Sequence, residues 1–271
     1  ILYLNGTLTS FCNQGWKGVE VWGNKMQTQY FYGGHFYQGK ILASSTAIIE
    51  NAEIGIYVSG EDSHTQSGGV VVAQGTLFRN NSISVLFSAY QNYYPSESDT
   101  ILKDNLSFFR GCTFEINDNY CVNKSFEEFI WMLEVDGIWL ETCLFQNLIT
   151  EEQQAWRDYG IGIRATDATF HVNRFCKPDE SPCDEENQCL FDGLAYGIFN
   201  TGIFGNKPYS VKNSEFRDCY VGIYQSQVSD PTVIVNRFNL GTVRDENLMA
   251  EQFGYFIEGA VLGMDIQENT F

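Results

Sequence analysis

Eight cysteines, three histidines and an excess of acids over bases (34 Asp and Glu against 16 Lys and Arg) are the side chains of this 271-residue chain with chemistry to offer. Cys176, Cys183 and Cys189 fall within fourteen positions of one another around an acidic run. A zinc site needs four well-spaced Cys or His ligands, and only His171 lies near, so a disulfide closing Cys176 onto Cys183 is the favoured reading. The run between them holds Asp179, Glu180, Asp184 and Glu185, the oxygen ligands that Ca²⁺ takes, but without the spacing of a calcium loop. A solvated charged loop is the simpler account. Cys112, Cys143 and Cys189 read as small buried thiols.

For hydrolysis of a glycosidic bond two carboxylates must flank the bond, and Asp192 and Asp218 are the pair that the repeat described below brings nearest. No basic cluster accompanies them, and His35, His64 and His171 are widely separated. Binding is the other chemistry on offer. Tyr30, Phe31, Tyr32, Phe36 and Tyr37 surround Gly33-Gly34, and Tyr90, Tyr93 and Tyr94 form a second group. Rings of this kind stack on sugar faces or anchor protein interfaces, and equally they cover the interior of a fold; at this stage both readings stand.

What must position these residues is a repeat. A large apolar residue is followed six places later by a small residue and a β-branched one: Ile49 with Gly55-Ile56, Phe78 with Ser84-Val85, Phe191 with Gly197-Ile198, Phe216 with Gly222-Ile223. Phe114, Phe145, Phe170, Phe238 and Phe271 share the approach to that anchor. Short alternating runs such as Val70-Val-Val-Ala and Ile161-Gly-Ile-Arg lie between, bounded by turn formers, and helical periodicity is confined to 125–133 and 151–156. This predicts an all-β, right-handed parallel β-helix over residues 1–271, with bare coils of about 22 residues. Asn51, Asn80, Asn147 and Asp218, two places after their anchors, are the expected turn ladder. Cys112, Cys143 and Cys189, two places before, form a thiol rung with Ala168 in the intervening coil. Insertions at 91–104, 118–128, 177–188 and near 245–252 are expected to leave one side of the solenoid and build any binding surface there.

Composition narrows the partners. At 44% hydrophobic residues the chain has ample material for a core, and a net charge of −18 repels phosphate backbones and anionic lipid headgroups. Nucleic acid and membrane insertion are therefore poor expectations; the strongest apolar run, 129–140, is broken by Glu134 and Asp136. The opening Ile-Leu-Tyr-Leu-Asn-Gly reads as the inside of a strand and turn, and Asn269-Thr-Phe stops within a repeat, so a segment of a longer protein is expected.

The order Gly15-Trp-Lys-Gly-Val-Glu-Val-Trp-Gly, Ala47-Ile-Ile-Glu-Asn-Ala-Glu-Ile-Gly-Ile and Ser67-Gly-Gly-Val-Val-Val-Ala-Gln-Gly-Thr-Leu-Phe-Arg-Asn-Asn, continued at Asn105-Leu-Ser-Phe-Phe-Arg-Gly-Cys-Thr-Phe, Tyr196-Gly-Ile and Val221-Gly-Ile, resembles the parallel β-helix region of large secreted Bacteroidota proteins. The resemblance implies export by the type IX secretion system to the cell surface or medium, and carries no catalytic residue. The expectation is a noncatalytic stalk or adhesin-like protein presenting loops to a glycan or surface protein. The alternatives are a polysaccharide lyase or glycoside hydrolase, and a bound component of a secretion or surface complex.

Overall fold

A computed structural model describes residues 1–11, 15–95, 100–150, 159–177, 183, 187–203, 207–239, 252–259 and 263–271. Three parallel sheets of nine, eight and eight strands run through these residues, and each coil contributes one strand to each sheet in turn. The chain is a right-handed parallel β-helix. Sheet one begins with Leu2–Leu4, Lys40–Ala43 and Val70–Gln74; sheet two with Thr7–Leu8, Ile48–Glu50 and Leu77–Arg79; sheet three with Val19–Glu20, Ile54–Val58 and Ile83–Phe87.

In-register parallel pairing places like on like. The anchor rings form one continuous column, Phe78, Phe114, Phe145, Phe191, Phe216, Phe238 and Phe271, with centroid steps of 4.7, 4.8, 4.6, 4.8, 4.9 and 5.0 Å. Adjacent planes lie within 3° to 9° of parallel. The column explains the small residue six places on. A Cβ on Gly197 would sit 2.6 Å from Gly222 O and 2.6 Å from the Phe216 ring, and one on Gly162 would sit 2.4 Å from Gly197 O. Glycine is required there by close approach, since strand and ring compete for the same volume.

Phe170 is not part of the column. It pairs with Ile138 in sheet one and stacks on Tyr209 at 5.2 Å, so the rung after Phe145 is Phe191. Likewise Cys143 meets Cys189 directly, its backbone N–H 3.2 Å from Cys189 Sγ, and Ala168 does not lie between them. Ala-Thr-Phe imitates the approach to an anchor because Ala168 is a small buried residue two places before a buried ring, as Cys112 is before Phe114 and Cys143 before Phe145. The expected helix over 125–133 is also absent: Glu128–Leu133 is a sheet-three strand between Ile83–Phe87 and Ile161–Thr166. Phe126, Phe129, Ile130 and Met132 imitate a helical stripe because Phe126 and Phe129 enter the core beside Ile130 and Met132 and break the strand's alternation. The second expected helix, 151–156, lies outside the described residues, as does all of the 245–252 interval except Gln252.

The insertions do not share a side. Residues 91–104 leave the corner between sheets three and one, 118–128 the corner between two and three, and 177–188 the corner between one and two. No helix among the described residues is long and apolar enough to cross a membrane.

Candidate functional site

The exposed rings gather at the corner where sheet three returns to sheet one. Two connections separated in sequence meet there: residues 21–39, ahead of the strand Lys40–Ala43, and residues 88–107, which carry a hairpin of Tyr93–Pro95 against Thr100–Leu102. The two aromatic groups seen as separate clusters in the sequence form one platform.

Buried amides hold it together. Gln29, almost fully buried, donates through Nε2 to Asn105 Oδ1 (3.1 Å) and Gly68 O (3.1 Å), and its Oε1 accepts the Leu106 N–H (2.7 Å). Asn92 Oδ1 accepts the Gln29 N–H at 3.1 Å, and Asn92 Nδ2 donates to Asp104 O at 2.8 Å. The Thr28 hydroxyl donates to Tyr93 O, and the Tyr93 hydroxyl returns a bond to Met26 O at 3.0 Å. Gln38 Nε2 closes the first loop on Asn24 O (2.9 Å) and Gln27 O (2.7 Å). The bonds that run between the two connections link residues 63 to 77 positions apart, and because buried amides go unpaired when either loop moves, they fix both backbones together.

Above this base the rings stand out. Phe31 is 60% exposed, Phe36 69%, Tyr94 50%, Tyr32 48% and Tyr37 37%. Phe31 meets Phe36 at 4.9 Å and 53°, and Tyr30 meets Tyr94 at 5.3 Å and 72°. Tyr32 and His35 bridge across the Gly33-Gly34 turn, where both glycines have positive φ. Tyr90 belongs to the base and not to the surface: it is 2% exposed, its hydroxyl donates to Gln27 O at 2.8 Å, and burial pushes its phenol well above the usual range. A ring in an insertion looks the same in sequence whether it points out or in. Tyr93 is half-buried, its hydroxyl engaged with Met26.

Elsewhere the carboxylates are tied into ladders. Glu50, Arg79, Glu115, Gln146, Asp192 and Arg217 succeed one another across the outer face of sheet two. Arg79 Nη2 lies 2.7 Å from Glu50; Arg217 lies 2.8 Å from Glu215 and 3.9 Å from Asp192. Asp218 adds its field to the same guanidinium, which holds its proton more tightly than usual, chiefly through the Glu215 hydrogen bond. Asp192 and Asp218 thus occupy successive coils with an arginine between them. Asn51, Asn80 and Asp218 take left-handed backbone at φ 58°, 53° and 48°, whereas Asn147 does not and bonds Tyr159 O instead. Asn80 exchanges bonds with Asn117, and an unforeseen side-chain ladder joins Ser214, Asn236 and Asn269.

Cys176 and Cys183 form a disulfide, Cα atoms 5.4 Å apart. Asp179, Glu180, Asp184 and Glu185 lie outside the described residues. Cys112, Cys143, Cys189 and Cys219 are buried thiols, and burial raises Cys189 and Cys219 to about 12, which removes them from nucleophilic chemistry. Sequence reading missed Glu128. It is 1% exposed on the outer side of sheet three; Oε2 pairs with Arg164 Nε at 3.0 Å, while Oε1 has no hydrogen-bond partner. Burial raises its carboxyl above the ordinary range, opposed by Arg164. Arg164 also lines a groove of about 550 Å³ with Glu127, Ile161 and Phe199. No family model, curated protein or solved structure matches the chain.

Proposed function

We propose that this protein is a noncatalytic, secreted or cell-surface β-helix, stalk-like or adhesin-like, whose aromatic platform meets a partner outside the cell. One observation carries the reading: five exposed rings stand on a base of buried, paired amides, so the surface is built in advance of any ligand. The Cys176–Cys183 disulfide supports an oxidising compartment, and the resemblance to β-helices of Bacteroidota proteins supports export through the type IX route. That Asp192 and Asp218 share Arg217 supports a ladder role for them.

The test is retention of the labelled chain on insoluble glycans and whole cells, with products assayed in parallel. Wild type is expected to be retained and to release neither new reducing ends nor unsaturated sugars. The triple variant Tyr32→Ala/Tyr37→Ala/Tyr94→Ala is expected to lose retention at an unchanged melting temperature. Turnover abolished by Asp192→Ala would overturn the noncatalytic reading. A glycoside hydrolase is the second reading, favoured by Glu128, since burial shifts its carboxyl upward, the direction in which a general acid is tuned. Turnover lost in Glu128→Gln would establish it.

A further inference from the structure

We infer that the occupant of the platform is a neutral glycan, a proposal that rests on the binding function above and adds the ligand's chemical class. Charge is the first argument. The chain carries −18 overall, yet the ring-bearing stretches 26–39, 86–95 and 100–102 contain no Asp, Glu, Lys or Arg, the charges of the two connections being confined to Lys25, Glu97, Asp99, Lys103 and Asp104 beside them. Rings without charge of their own in a strongly acidic molecule give an anionic polymer little to pair with and much to repel it. A basic partner would be drawn to the acids instead. A neutral polyhydroxyl chain is indifferent to that field.

Ring geometry is the second argument. In the core column every Phe from Phe114 to Phe238 spends both faces on its neighbours, with planes within 9° of parallel. On the platform Tyr30 meets Tyr94 edge to face at 72° and Phe31 meets Phe36 tilted at 53°, neither pair being stacked face on face, so ring faces are left open to solvent. A pyranose offers an apolar C–H face for such a ring and a rim of hydroxyls for adjacent polar groups. The platform supplies that rim from the Tyr32, Tyr37 and Tyr94 hydroxyls and the imidazole of His35, beside the faces of Phe31 and Phe36. Sugars bind weakly for each ring covered, so loops ordered beforehand by Gln29 and Asn92 matter more for them than for a large protein interface.

Affinity electrophoresis and calorimetry on the full chain test this, using soluble β-glucan, xyloglucan, galactomannan and α-glucan, with polygalacturonate and heparin as acidic counterparts. At least one neutral polymer is expected to bind, with affinity that changes little from about 0.05 to about 0.5 M NaCl. Phe31→Ala/Phe36→Ala and Tyr94→Ala are each expected to weaken binding about tenfold or more while the melting temperature holds. Tyr224→Ala, on sheet three in register with Phe199 and away from the platform, serves as the control and is expected to bind as wild type. Binding confined to the acidic polymers, or lost in Tyr224→Ala and kept in the platform variants, overturns the inference. Failure of every neutral polymer also overturns it; a defined protein ligand captured through the same rings would then leave the platform function standing and change only its occupant.

Discussion

The Phe column and the platform are built from the same residue type put to opposite uses. In the column, Phe145 and Phe191 approach to 4.6 Å with planes 3° apart, each buried completely, so the rings are wholly consumed by packing. On the platform, Phe31 and Phe36 are mostly exposed and their fixed position comes from amides beneath them, not from ring stacking. Solenoid order therefore arises here in two ways: by repetition of an apolar side chain every coil, and by polar groups that have a single satisfactory arrangement. The first makes a closed core, and the second makes an ordered, exposed surface.

The largest effect that would break this contrast is in the column. Phe191→Ala opens a cavity between two rings and is expected to cost about 3–5 kcal/mol in urea unfolding, whereas Phe36→Ala should stay within about 0.5 kcal/mol. Similar losses for the two would refute the division of labour. Next comes the base of the platform: Gln29→Ala leaves the buried Leu106 N–H and Asn105 amide without their partner, for about 2 kcal/mol. Hydrogen exchange should show the loss of protection concentrated in 24–38 and 92–106; protection lost evenly along the solenoid would mean that the platform is not a separate unit. The smallest effect concerns Glu128, whose hydrogen bonding is incomplete where that of Gln29 is satisfied. Its folded carboxyl titrates above the unfolded value of 4.5, so the folded state binds the extra proton, and stability falls as pH rises from there through the raised value. Glu128→Gln should flatten that acid-side slope while keeping the bond from Arg164; an unchanged slope in pH-dependent urea melts would show that Glu128 is not its source.

The column was legible in the sequence because each rung repeats the same demand. The ring of Phe216 excludes a side chain at Gly197 and that of Phe238 one at Gly222, and this leaves a spacing that can be read without coordinates. The disulfide was legible for a similar reason, since few partners compete for Cys176 and Cys183. The platform base was not. Gln29, Asn92 and Asn105 are polar residues in long connections, and their pairing depends on which coils stack, which no local pattern records. Tyr90 and Tyr94 differ in burial for the same reason. Phe170 was misread because Ala-Thr-Phe shares the local approach to an anchor, and the strand Glu128–Leu133 because Phe129 and Ile130 are both buried and erase the alternation by which strands are recognised.

Gln29 has one further consequence. Its side chain belongs to the connection leading into the second coil, yet it bonds Gly68 at the threshold of the third and Asn105 at the threshold of the fourth. In a simple stack, tension along the axis is resisted by one coil interface at a time, so the weakest interface decides when the rod parts. A clasp spanning several interfaces makes that stretch share the load. A ligand seated on the clasp would therefore pull on the most firmly braced part of the rod, which is where an anchorage under flow or traction would need to be.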